Sequence, residues 1–208
     1  TILRGSVSAA SSANSQSGLV VGANNASLSA LRIENVNGLN AFSVGIFCDE
    51  ITSLNLSNLS IFLSGGEDQI GLQADSSSVS LFTSNIDIAA SSGNNIGVAF
   101  LGASGILSNV TIEVRDAKFQ QGVSAANSSS VNVTDSAITV FGGANPQQGI
   151  TIQNSSSAVI NNSSITVSSN VATINGVLIH EASSATITGS RVTATGSFSP
   201  IGISVNTE

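Results

Sequence analysis

A glycine followed by an aliphatic residue recurs along the whole chain, at Gly18, Gly45, Gly71, Gly97, Gly122, Gly149, Gly176 and Gly202. The intervals run from 25 to 27 residues. A unit this short cannot bury an apolar face by itself, so it must bury that face against its neighbours. The repeat therefore limits the chain to stacked architectures.

Inside each unit apolar and polar residues alternate in short bursts, the period of a strand with one buried face. One and three residues after the glycine come pairs such as Ile46/Cys48, Val98/Phe100, Ile150/Ile152 and Ile203/Val205. A Ser/Asn-rich turn follows, as in Asn154-Ser155-Ser156-Ser157. Next comes a second pair (Leu54/Leu56, Val79/Leu81, Val131/Val133), and then a third (Ile61/Leu63, Ile86/Ile88, Ile165/Val167). In the units opening at Gly45, Gly122, Gly149 and Gly176 the second and third pairs begin one residue later than in those at Gly18, Gly71 and Gly97. Both pairs shift together, which places the length change in the first turn; inside a strand it would turn side chains to the wrong face. Gly105 and Asn35, at inward positions, fit the pattern least.

Three short strands per turn predict an all-β fold: a single-stranded parallel β-helix of about 7–8 turns of ~26 residues, with each strand pairing with its equivalent one turn on. Residues 1–208 are read as one β-solenoid domain. The pattern resembles the right-handed parallel β-helix superfamily, which includes polysaccharide lyases, phage tailspikes and autotransporter or adhesin passengers. The right-handed winding is what that resemblance implies. At the start of the chain, Ile2 is expected in the second-pair column and Val7 in the third.

Composition narrows function by exclusion. Charged residues make up 8% of the chain and the net charge is -7. With Lys and Arg totalling five, no cationic surface exists for nucleic acid or anionic lipid. No run of about 18 apolar residues provides a membrane-spanning segment. The single Cys48 rules out an internal disulfide and a cysteine zinc cage. The chain opens on Thr1 with no signal segment, as expected of a processed product or an excised piece.

The outward positions supply few chemical constellations. Four residues after the glycine, Asp49 and Asp75 stack on adjacent turns, the arrangement a glycosidase pair or a Ca²⁺ site would need. No Arg or Lys neighbours them, and they are read as a solvated pair sharing a face with Glu50. His180 beside Glu181 is read as an exposed pair, and Cys48 as a small core residue. The outward third-strand column, Glu34, Phe62, Asp87, Glu113, Thr139, Thr166 and Thr193, carries only a partial threonine array for an ice-binding face. The column two after the glycine (Val20, Phe47, Gln73, Ala99, Ser124, Thr151, Leu178, Ser204), together with Leu101, is expected to expose an apolar strip.

No residue is given a catalytic, cofactor-binding or metal-ligating role. The expected function is that of a non-enzymatic, secreted structural protein of the bacterial exterior or cell surface. It would assemble with itself, head to tail and laterally, into a filament, stalk or surface layer. The alternative is a segment of an adhesin passenger whose partner is carbohydrate. A polysaccharide-active enzyme and an ice-binding protein rank below both.

Overall fold

The computed structural model describes residues 2–10, 15–37, 42–89 and 92–206. Among these residues, strands alone form one parallel sheet, wound into a β-solenoid of about seven turns of ~26 residues. Each turn pairs with the next in register. The first core column runs Ile46, Leu72, Val98, Val123, Ile150, Val177, Ile203. The second-strand column Leu56, Leu81, Leu107, Val133, Ile160, Ile187 runs beside it. The third is Ile61, Ile86, Ile112, Ile138, Ile165, Val192. Away from the last turn these side chains are buried in one continuous aliphatic core. The glycine repeat thus gives the fold class, the period and the facing of all three strands.

Two expectations need correction. The register pairs Leu3, not Ile2, with Leu28, while Val7 pairs with Ile33 as expected. A shift between Leu3 and Gly5 accounts for the difference, because the count back from Val7 loses a residue there. Nor are the strands short and separate everywhere. Ser164–His180 and Arg191–Asn206 run through a corner without a break, because the corner itself pairs: Ser168 with Thr195 and Ser169 with Gly196. The side chain of Asn35 lies outside the described residues.

The one-residue slips sit in the first corner, where the spacing places them. After Asp75 and Leu101 a single residue takes left-handed backbone, Ser76 (φ 47°) or Gly102 (φ 62°). After Ala126 and Gln153 two do so, Asn127/Ser128 and Asn154/Ser155, and there the extra residue is absorbed by a second left-handed step; the longer corner after Asp49 has one, Glu50. The strands that follow keep their faces in either case. Second corners turn on one left-handed residue, including Asn58, Asn109 and Asn162, a residue type that tolerates this region.

The abundant serine has a specific use at both corners. At the first, the Ile51 amide donates to Ser77 Oγ at 3.0 Å, Ala103 to Ser129 at 3.1 Å and Ser129 to Ser156 at 3.0 Å. At the second, Leu59 donates to Ser84, Val110 to Ser136, and Ser136 to Ser163. Each acceptor lies one turn further on. These hydroxyls in turn donate to carbonyls just before them, Ser77 to Asp75 and Ser136 to Thr134. Buried corner amides, which have no ladder partner of their own, are satisfied in this way.

Candidate functional site

The repeat glycine shapes the outer surface of the first strand. A Cβ on Gly71 would lie 2.5 Å from Ile86 Cγ2 and 2.6 Å from the carbonyl oxygen of Gly97. The glycine therefore faces inward onto the third strand, and the residue after it, Leu72, is also fully buried. Two consecutive inward positions bend the strand, so the outward residues on either side of the bend meet over it. The result is a second, smaller cluster outside the main core: Val44, Ile70 and Ala99, with Phe42, Phe47 and Ile96 packed against them.

The expectation of an exposed apolar strip holds at Val20, which is exposed, and needs correction along the middle of the column. Ala99, Ser124 and Thr151 point outward yet are buried, Thr151 to 1% exposure. Alternation gave their direction correctly; the bend that covers them leaves no mark in a period-2 pattern beyond the glycine itself. Along the axis the cluster gives way to amides. Gln121 Nε2 donates to Gln148 Oε1 at 2.6 Å and to Thr151 Oγ1 at 3.1 Å, and Thr151 donates to Gln148 Oε1 at 2.7 Å. Three residues from two turns thus form a closed network.

Asp49 and Asp75 are register partners, as the columns predict. Asp49 and Glu50 are exposed and Asp75 is half-buried. Gln73 Nε2 donates to both carboxylate oxygens of Asp75, at 3.1 and 3.0 Å. Desolvation raises the Asp75 pKa; the Gln73 bond opposes that shift and the charge of Asp49 adds to it. Cys48 is fully buried, and burial pushes its thiol up to about 12. His180 Nδ1 lies 3.6 Å from a Glu181 carboxylate oxygen, with His180 half-buried and not exposed as expected. Among the described residues no group of three or more His, Cys, Asp and Glu gathers to hold a metal ion.

The third-strand face carries the ion pairs. Arg115 reaches Asp87 at 3.1 Å and also contacts Glu113. Arg32 pairs with Glu34 at 2.7 Å and lies 4.9 Å from the centre of the Phe62 ring. Thr139, Thr166 and Thr193 align beyond them. A shallow hollow of about 200 Å³ between Glu34, Phe62, Asp87 and Arg115 is occupied on its rim by these paired charges.

The largest departure from the buried core is at the last turn. Ile203 is 48% exposed and Val205 61%, although Val177 and Ile179 in the same columns are 0% and 6%. Ile187, Val192 and Ala194 are only partly buried. Sequence columns give this layer its apolar identity, but not its exposure. Compared with known proteins, the chain matches no described family, no curated protein and no solved structure.

Proposed function

We propose that the chain is a non-enzymatic structural shaft of the cell exterior that joins end to end with further copies into a filament, stalk or surface layer. One observation supports the reading: every turn lays the same aliphatic columns on the next, so the layer of Ile187, Val192, Ala194, Ile203 and Val205 presents the shape that a further turn, of this chain or of a second copy, would fit. Such a layer is best covered by another rung of the same shape, which would bury the aliphatics and extend the parallel ladder. A second copy offers a rung in its strands Ile2–Ala10 and Ser15–Val21. The two ends differ, so the contact has no built-in stop and yields filaments instead of closed dimers. The mutual pairing of Arg115, Asp87 and Glu113, and of Arg32 and Glu34, agrees with a structural use of these charges.

Particle length against concentration, read by negative-stain microscopy, tests the proposal. Wild-type rods lengthen with concentration, and Val205→Lys shortens them while the circular dichroism stays β-rich. A wild-type chain that remains monomeric at high concentration rejects it. The second reading, a glycan-contacting adhesin segment, draws on the half-buried Phe47 ring and the aligned Thr139, Thr166 and Thr193. Binding on a glycan array that Phe47→Ala or Thr166→Ala removes would favour it.

A further inference from the structure

Inside the solenoid, at the corner leading into the first strand, one core column is polar. Ser43, Gln69, Asn95, Gln120 and Gln147 occupy the same position on successive turns. All five are at 0% exposure. One turn further on the position is filled by Ile174, also at 0%, so the surroundings are those of a core. Three of the amides use a backbone carbonyl as acceptor: Asn95 that of Arg115 at 3.4 Å, Gln120 that of Ala117 at 3.3 Å, and Gln147 that of Asn145. The amide oxygens of Asn95, Gln120 and Gln147 have no protein donor, and neither does Ser43 Oγ have a partner. Gln69 stands apart, because both its amide nitrogen and its oxygen are without protein partners.

In-register glutamines can bond amide to amide along a ladder of about 4.8 Å, but Gln120 and Gln147 do not; each donates to a backbone carbonyl instead. Gln69 lies between two shorter side chains, Ser43 on one turn and Asn95 on the other, and its amide extends past both. A buried polar group left unmet is costly, so several together would consume much of a domain's small net stability. A water molecule makes two to four hydrogen bonds and supplies two donors to a site rich in acceptors. We infer that Ser43, Gln69 and Asn95 form a built internal hydration site, in which ordered water bridges three successive turns through the Gln69 amide.

The test joins a high-resolution crystal structure of the wild-type chain with the variant Gln69→Met, which keeps side-chain length and removes polarity. The expected result is ordered water about 2.7–3.2 Å from the Gln69 amide and from Asn95 Oδ1. Oxygen-17 relaxation dispersion should then count at least one long-lived internal water, lost in Gln69→Met. The variant should also melt at a lower temperature, because Ser43 and Asn95 lose their bridge. Gln69 bonded directly to Asn95 or to backbone, with no water beside it, overturns the inference. So does a Gln69→Met protein that melts higher, since replacing an unmet amide by an apolar group of the same shape is stabilising. The wild-type diffraction and relaxation results stand even if the variant fails to fold.

Discussion

The ring of Phe100 occupies the space that a side chain at Gly105 would need: a Cβ there would lie 2.3 Å from Phe100 Cζ. The poorest fit in the second-strand column is thus the complement of the largest residue in the first. Phe100 is fully buried where its register partners are Ala74 and Ala125. Phe100→Ala should destabilise by about 3–5 kcal/mol through the cavity it leaves. Gly105→Val should cost about 1–3 kcal/mol by overpacking. The double variant should recover at least ~1 kcal/mol of their sum in urea unfolding. Strict additivity would mean the two sites do not share a space.

At the corners, Ser136→Ala removes the acceptor of the Val110 amide and the donor to the Thr134 carbonyl. The expected loss is about 1–3 kcal/mol, because both groups remain buried or partly so. Ser130→Ala, at an exposed position on the same turn, should stay within about 0.5 kcal/mol of wild type. Equal effects for the two would remove the ladder's energetic role.

The raised pKa of Asp75 fixes the sign of a pH effect. Burial and then Asp49 favour the protonated form in the folded state. The contribution of Asp75 to stability is therefore fully present below its unfolded value of 3.8 and declines as pH rises through its folded value. Asp75→Asn should accordingly raise the melting temperature slightly at pH 7, and the difference from wild type should vanish near pH 3. A variant that melts lower at pH 7 would show that the hydrogen bonds from the Gln73 amide to the ionised Asp75 carboxylate stabilise the fold.

Cys48, with its thiol pushed up to about 12 and its side chain enclosed, should resist iodoacetamide at pH 8 for as long as the fold holds. Mass spectrometry across a urea series should show labelling that follows unfolding. Rapid labelling of the native chain would place Cys48 outside the core.

What the sequence shows and what it conceals divide along physical lines. Alternation and the glycine period report facing and pairing, because a one-residue slip would turn Ile86 or Ile165 outward. The shift at Asn127/Ser128 is legible for the same reason. The burial of Thr151 is not, since it follows from a bend set by Gly149 and by a side chain on a different strand, Ile165, whose Cγ2 lies 2.3 Å from where a Cβ on Gly149 would stand. The serine bonds are hidden too: Ser129 and Ser130 are identical letters, one buried and bonded across turns and the other exposed. The exposure of Val205 depends on what lies above it, and its own column carries no sign of that.

The two lengths of the first corner have a consequence for how such a solenoid changes size. One left-handed residue or two serve equally well there, after Asp75 or after Ala126. Copying or losing a whole turn therefore leaves each junction with the three columns and two serine acceptors it needs, whichever corner length is inherited. Unequal exchange between neighbouring repeats would lengthen or shorten the rod in steps of about 4.8 Å without disturbing its cross-section. Reach becomes a heritable quantity counted in whole turns.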